Sequence, residues 1–161
     1  MGTKKYNSKF PYAFRNDWHE ALVRTWHTGQ LLRAIAVNFF ADKPVSDTQF
    51  NLMGGLYYSD KPPSQQELAD RLVVHKSAIS TLIDRMEQAG LVRRRSHSGD
   101  RRRFELVLTE KGEKIFKNLE EEYLELVRSI MKRISNRDIT ALNESLEKLR
   151  LAVNAYLINK E

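Results

Sequence analysis

Six arginines and a single acid, Asp100, fall within the eleven residues 93–103 of this chain. Three arginines stand at 93–95 and three at 101–103, with Ser-His-Ser-Gly-Asp between them. Short apolar, strand-like pieces flank the run, Leu91-Val92 before it and Phe104–Leu108 after it. Alternating apolar residues on each side of a Gly-containing polar tip predict a two-stranded ribbon. A ribbon that small buries little core. Its charge is therefore there for a polyanion.

The rest of the charge supports a local footprint. Residues 61–112 hold 11 basic and 7 acidic side chains, against 7 and 5 in residues 1–60 and 9 and 9 in residues 113–161. The net charge of +6 thus centres on the ribbon, and the C-terminal third is neutral. Such a stripe indicates a nucleic-acid partner better than overall pI does. A length of 161 residues with 41% apolar content suffices for one cored domain, or one domain plus an extension. The chain has no cysteine, which excludes disulfides, zinc–thiolate sites and thiol redox sensing. The basic N-terminal stretch contains no apolar run of signal-peptide length. No segment approaches the roughly 18 apolar residues of a membrane span. A soluble, cytoplasmic protein without a membrane partner is expected.

Periodicity lays out the elements. Residues 1–12 read as an arm. From about Phe14 to Ala41, Phe14, Trp18, Leu22, Trp26, Leu32, Ile35 and Phe39 recur at roughly three- and four-residue steps, which predicts a helix. Asp42-Lys43-Pro44 ends it, and Ser46 or Asp47 caps the next helix, which runs to about Tyr58. After Pro62-Pro63, Ser64-Gln65-Gln66-Glu67 forms a capping box. A short helix follows with Leu68, Ala69 and Leu72 inward, then a turn at Val73-Val74-His75. A second helix runs from near Lys76 to Gly90, a residue suited to a left-handed cap. Its expected buried stripe is Ala78, Ile79, Leu82, Ile83 and Met86, which leaves Lys76, Ser77, Ser80, Thr81, Asp84 and Arg85 outward. Strands are predicted at Leu91–Arg95 and Arg102–Leu108. A long helix then extends from Thr109 or Glu110 to about Ile134. In the last helix, introduced by a capping candidate at Ser135–Asp138, Ile139, Leu142, Leu146, Leu149, Val153 and Tyr156 form a coiled-coil-like seam.

The segment ELADRL followed by SAISTLIDRMEQAGLVRR, then Asp100-Arg101-Arg102, Leu108-Thr109 and Gly112, resembles the MarR family of bacterial winged-helix transcription regulators. The match needs no gap from Glu67 to Gly112, and the helices on both sides fit in number and placement. The resemblance implies a mainly α fold with a small two-stranded β wing: a winged helix-turn-helix with N- and C-terminal dimerisation helices. The corresponding segments are an arm and dimerisation helix at 1–45, a DNA-binding lobe at 46–112 and C-terminal dimerisation helices at 113–161. Together they form one intertwined domain. The implied partners are double-stranded DNA bearing a palindromic operator, a second copy of the chain, and a small aromatic or anionic effector. Independently, the C-terminal seam is more apolar than a single small lobe can cover, so a partner copy is expected.

These readings assign residues. The helix at Lys76–Arg85 is the recognition candidate. Lys76, Ser77, Ser80 and Thr81 lie near its N-terminus, suited to base edges or phosphates, and Arg85 a turn later to a phosphate. The resemblance gives the Asp100–Arg102 pair the minor groove, with the acid holding the arginine; Arg suits the enhanced potential of narrow A·T-rich grooves. Arg94, Arg95, His97, Arg101 and Arg103 are read as phosphate contacts, which position without specifying. Any flanking arginine has a structural alternative, such as pairing of Arg93 or Arg103 with Glu105. The start of the helix at Ser64-Gln65 either meets a phosphate or only begins a helix. Trp18, Trp26, Met53, Gly54 and Tyr57 are candidates for an effector cavity implied by the resemblance, or else core; Gly54-Gly55 suits a close helix crossing or a ligand space. Ile139, Leu142, Leu146, Leu149, Val153 and Tyr156 form the candidate dimer interface.

Catalysis finds no support. There is no phosphate-binding Gly-rich loop, no Gly-x-Ser-x-Gly and no carboxylate pair beyond surface runs such as Glu120-Glu121-Glu122. The four histidines, His19, His27, His75 and His97, lack metal-ligand spacing, so neither metal nor cofactor is expected. The sequence points to a homodimeric, sequence-specific DNA-binding regulator and not an enzyme, a repressor relieved by a ligand. Two alternatives stay open: a winged-helix protein–protein module for an acidic partner, and a non-specific architectural DNA binder.

Overall fold

The computed structural model describes residues 13–159, apart from 73–75 and 98–99. The expected arm at 1–12, the turn Val73-Val74-His75 and the ribbon tip at Ser98-Gly99 lie outside the described residues. The elements are α1 (Asp17–Phe40), α2 (Asp47–Tyr57), α3 (Gln65–Leu72), α4 (Lys76–Gln88), β1 (Val92–His97), β2 (Asp100–Leu108), α5 (Glu110–Met131) and α6 (Asn136–Ile158). The fold is mainly α with one two-stranded antiparallel sheet, as the sequence predicts. The chain divides into two compact units after Gly112. No helix among the described residues is long and apolar enough to cross a membrane.

In the first unit, caps set where helices begin. The α1 pattern starts at Phe14, but the helix starts at Asp17 because Asn16 Oδ1 accepts the His19 N–H at 2.8 Å. Ser46 caps α2 with a reciprocal bond to Gln49: the Ser46 N–H donates to Gln49 Oε1 at 2.9 Å and Gln49 N–H to Ser46 Oγ at 3.3 Å. The capping box of α3 forms as predicted. The Ser64 N–H donates to Glu67 Oε2 at 2.7 Å, and the Glu67 N–H donates to Ser64 Oγ at 3.2 Å. That hydrogen bonding holds the Glu67 carboxyl below its ordinary range, with Arg71 adding a smaller attraction. Without such partners the first N–H groups of a helix go unsatisfied.

The core of the unit gathers the apolar faces of α2, α3 and α4 with the base of the ribbon. Phe50, Leu52, Met53, Leu68, Ala69, Ile79, Ile83, Met86, Leu91, Val92 and Leu106 are all buried. Phe40 at the end of α1 joins them, its ring centroid 5.3 Å from that of Phe50. Each fully buried aliphatic side chain stabilises the fold by about 1.5–3 kcal/mol. The stripe on α4 is narrower than expected: Ile79, Ile83 and Met86 are buried and Leu82 half-buried, whereas Ala78 is exposed. A methyl group is small enough to stand on either face, so apolar character alone does not orient it. Gly55 of α2 faces α3, where a Cβ would lie 3.5 Å from Leu68 Cδ2 and 3.8 Å from Arg71 Nη1. Gly55 therefore stands at a helix crossing rather than beside an open space.

Helix α4 ends in a Schellman turn. Gly90 takes φ +69°, the Gly90 N–H donates to Glu87 O at 2.9 Å and the Leu91 N–H to Met86 O at 2.9 Å. The ribbon leaves from there with Val92 opposite Leu108, Arg94 opposite Leu106 and Arg95 opposite Glu105. Both strands run closer to the tip than predicted and take in Ser96, His97, Asp100 and Arg101, with an irregularity at Ser96/His97. Cross-strand pairing extends a strand into residues with no strand preference of their own. Thr109 closes the base. Its Oγ1 donates to Gly90 O at 2.7 Å and accepts the Gly112 N–H at 3.0 Å, so it caps α5 while holding the end of α4. A Cβ on Gly112 would stand 2.0 Å from Leu91 O, which explains the glycine in Leu-Thr-x-x-Gly.

In the second unit, α5 stops at Met131 rather than near Ile134. A turn follows, and Ser135 Oγ accepts the Asp138 N–H at 3.2 Å to cap α6. No residue of α6 is buried. Of its predicted seam, Ile139 and Leu149 are half-buried, and Leu142, Leu146, Val153 and Tyr156 are exposed.

Candidate nucleic-acid interface

Helix α4 presents an outward row. Ser77, Ala78, Thr81 and Arg85 are exposed, and the last three are spaced i, i+3, i+7, one above another on the helix. Ser77 and Thr81 carry hydroxyls that can donate or accept, and Thr81 Oγ1 donates to Ser77 O at 3.3 Å. Ser80, predicted outward, is half-buried instead, with Oγ 3.5 Å from Gln65 Oε1 of α3. It belongs to the helix–helix seam more than to the open row. Ala78 takes the place on the open row that the sequence assigned to Ser80. The i, i+3 spacing of Ala78 and Thr81 was the available signal.

Beside this row lies a concavity of about 420 Å³ lined by Ser46, Thr48, Ala78, Thr81, Leu82 and Arg85. It joins the N-terminal turn of α2 to the outward face of α4. It is shallow and sets three hydroxyls and the Arg85 guanidinium beside the apolar Ala78 and Leu82. Asp47 adds a carboxylate nearby in sequence, but its Oδ1 accepts from Thr48 N–H at 2.8 Å. At the start of α3, Glu67 already occupies the Ser64 N–H, so of the two readings for that end the helix start is the one built into the structure.

The pleat of the ribbon divides the arginines. Successive side chains of a strand point to opposite faces. Arg94 shares its face with buried Val92, while Arg93 and Arg95 stand on the other. Arg94 turns to α4: Nη2 donates to Asp84 Oδ1 at 2.6 Å, and Nη1 bonds Glu87 Oε2. The bond it donates to Asp84 raises the guanidinium pKa further above its already high value, and burial opposes this. Arg95 makes a cross-strand pair, Nη2 to Glu105 Oε2 at 2.7 Å and Nε to the same oxygen at 3.2 Å. Glu105 thus pairs with Arg95, whereas the sequence suggests Arg93 or Arg103 for it. Asp84 and Glu87 were missed as partners. They lie i, i+3 on α4, where two acids facing a basic strand were a legible signal. Of Lys76, His97, Asp100, Arg101, Arg102 and Arg103 the backbone alone is described, within α4, β1 and β2. That backbone puts Asp100–Arg103 on β2 at the tip end of the ribbon.

The other predicted residues fall into distinct settings. Trp18 and Trp26 are 86% and 70% exposed on α1, whereas Met53 is fully buried in the lobe core. Gly54 and Tyr57 are half-buried on α2. Among the described residues, no group of three or more His, Asp or Glu side chains is arranged to hold a metal ion.

Residues 43–103 match the MarR family. PecS of Dickeya dadantii, an HTH-type transcriptional regulator, is 29% identical over 122 residues, which cover 74% of this chain and 71% of PecS. The fold is similar to that of AbsC, a MarR family transcriptional regulator from Streptomyces coelicolor. The TM-score is 0.77 at 24% identity over 89% of this chain and 99% of that one. It is also similar to MepR of S. aureus in its DNA complex, with a TM-score of 0.71 at 18% identity over 83% of this chain and 95% of that one.

Proposed function

We propose that this chain, whose residues 43–103 match the MarR family and whose fold is similar to that of AbsC, is a winged helix-turn-helix regulator that reads a palindromic operator as a homodimer and represses transcription until a small ligand releases it. The chain is read as a regulator and not an enzyme. The observation that carries the DNA reading is the exposed row Ser77, Ala78, Thr81 and Arg85 beside an arginine ribbon. MepR, with the same fold, was solved on DNA, which supports the reading.

The N-terminal half of α4 enters the major groove. Ser77 and Thr81 hydrogen-bond base edges, with Lys76 beside them, and the Ala78 methyl packs on a thymine methyl. Arg85 reaches a phosphate from the concavity shared with Ser46 and Thr48. Arg102, held by Asp100, enters the minor groove, while His97, Arg101 and Arg103 meet flanking phosphates. Arg95 spends its fork on Glu105 and Ser80 leans on α3, so both rank behind these contacts.

The dimer reading rests on surface. Helix α1 exposes Trp18, Leu22 and Trp26, and α6 exposes Leu142, Leu146, Val153 and Tyr156. Apolar stripes of that extent mark an interface, and a second copy of the chain supplies it in the commonest symmetric arrangement. The two lobes then meet half-sites about 34 Å apart. The effector is an expectation from the family resemblance. Met53 has no surface to offer a ligand, which leaves Trp18, Trp26, Gly54 and Tyr57 to receive a small aromatic or anionic compound.

Affinity selection from random duplexes tests the function. A palindromic motif should emerge, with binding that weakens steeply as salt rises. Equal binding to every duplex would replace this reading with a non-specific architectural role, and no duplex binding would leave an acidic protein as the partner. On the selected duplex, Arg102→Ala should weaken binding by about 1–3 kcal/mol; a loss of a few tenths would remove Arg102 from the groove.

A further inference from the structure

Arg94 belongs to the ribbon, yet every bond described for it leads to the reading helix. Its backbone N–H donates to Glu87 Oε1 at 3.0 Å, Nη1 bonds the other oxygen of the same carboxylate, and Nη2 donates to Asp84 Oδ1 at 2.6 Å. That N–H lies on the outer edge of β1, where a two-stranded sheet offers no further strand. A side chain of α4 takes the place of the missing strand. Asp84 and Glu87 stand one turn apart on α4, and the planar fork of an arginine spans them as a lysine ammonium would not.

We propose that Arg94 is a positioning residue of DNA recognition: with Asp84 and Glu87 it latches the ribbon to the reading helix and fixes the span between the α4 row and the wing tip. The proposal rests on the DNA-binding reading above.

The mechanical need is clear from the geometry. The ribbon is fastened at its base by Thr109, whose Oγ1 donates to Gly90 O and whose N–H donates to Leu91 O at 3.1 Å, and on one face by the burial of Val92 and Leu106. Apolar burial is non-directional and leaves the ribbon free to tilt about those contacts. A strand of six residues is about 20 Å long, so a tilt of roughly 10° carries the tip about 3 Å, beyond the tolerance of a hydrogen bond. Arg94, opposite buried Leu106, adds directional bonds at that level, and these set the tilt. The contrary role, direct contact with a phosphate, is disfavoured by charge. Arg94 would have to leave two charge-assisted bonds, and Asp84 and Glu87 would then face the duplex uncompensated. Because the pair is partly exposed, its share in folding stability is small. Its effect should appear in binding.

A double-mutant cycle on the selected duplex tests this, with wild type, Arg94→Ala, Arg102→Ala and the double variant compared at several salt concentrations. Arg94→Ala should weaken binding about tenfold in the wild-type chain and by less than twofold in the Arg102→Ala background, where the wing tip no longer reads. Discrimination at positions read by α4 should persist while that at the wing position relaxes. The thermal midpoint and the slope of log K against log salt should stay close to wild type. Multiplicative losses in the double variant, or a salt slope lowered by about one, would place Arg94 on a phosphate and overturn the proposal. Amide hydrogen exchange of the DNA-free protein supplies an independent reading. Exchange at Arg95–His97 should quicken in Arg94→Ala, and unchanged rates would refute the latch. If wild type selects no duplex, the positioning role falls with the DNA reading, while the exchange result still reports whether the latch exists.

Discussion

The lobe from α2 to β2 and the flanking helix α6 are built on opposite terms. In the lobe, α2, α3, α4 and the ribbon base bury Leu52, Met53, Leu68, Ile79, Ile83 and Met86 almost completely. Among the described residues, no buried side-chain polar atom there or elsewhere lacks a partner. Helix α6 is as regular and twice as long as most lobe helices, yet it has no buried residue. Helix α1 resembles α6 along most of its length and the lobe only at Phe40. A self-sufficient core and an apolar stripe without cover differ in what they require. The first needs only its own chain; the second needs another surface. On the proposed reading the lobe carries folding and the flanking helices carry assembly, and the contrast can be broken at either end.

The largest expected effect is Gly112→Ala. The added methyl meets a backbone carbonyl at 2.0 Å, so the ribbon base or the start of α5 must shift. We expect a loss of about 3–5 kcal/mol, at the upper end for single substitutions. A denaturant melt showing less than about 1 kcal/mol would mean the junction yields easily. Met86→Ala comes next and should cost about 2–5 kcal/mol by opening a cavity in the lobe. Its counterpart is Leu146→Asp with Leu149→Asp on α6. This pair should abolish a stable dimer in sedimentation while the lobe keeps its helical signal. If the doubly substituted protein sediments as wild type, α6 is not the assembly surface and the contrast fails.

The same contrast explains what the sequence made legible. Caps at Ser46, Ser64 and Ser135 and the left-handed Gly90 were readable because each is a local device acting within one turn. The ribbon was readable from its alternation. Ala78 was misplaced because a methyl group is not committed to either face of α4. Arg94 stays open in the sequence, between a phosphate and a partner within the protein, for a different reason. Its partners, Asp84 and Glu87, lie seven to ten residues upstream on another element, and only the turn at Gly90 brings them opposite. Charge density announces a polyanion site, but it does not say which cations are neutralised inside the protein. The strand ends were placed too far from the tip because pairing, not propensity, holds Ser96 to His97 in β1.

Smaller effects sharpen the lobe side. Ser64→Ala removes the hydroxyl that accepts the Glu67 N–H and should cost about 1 kcal/mol of stability. The corresponding change at Ser135 should leave the lobe's hydrogen exchange untouched, because that cap serves α6. Equal effects on lobe exchange from both would erase the distinction between the two units.

The smallest effect is a pH dependence carried by Glu67. The hydrogen bonds from Ser64 lower its pKa in the folded state, with a smaller contribution from Arg71. A group with a depressed folded pKa binds fewer protons when folded than when unfolded. Its contribution is therefore complete above the unfolded carboxylate pKa of about 4.3 and fades as pH falls through the folded value. Glu67→Gln keeps a side chain able to accept the Ser64 N–H but removes the charge. Wild type should be the more stable of the two near neutrality, and the gap should close progressively below about pH 4. Paired urea melts from pH 7 to pH 3 measure that gap directly. A gap that stays constant across the range would show that Glu67 acts at the start of α3 through shape alone. The charge of the capping box would then add nothing to the helix that supports the reading helix.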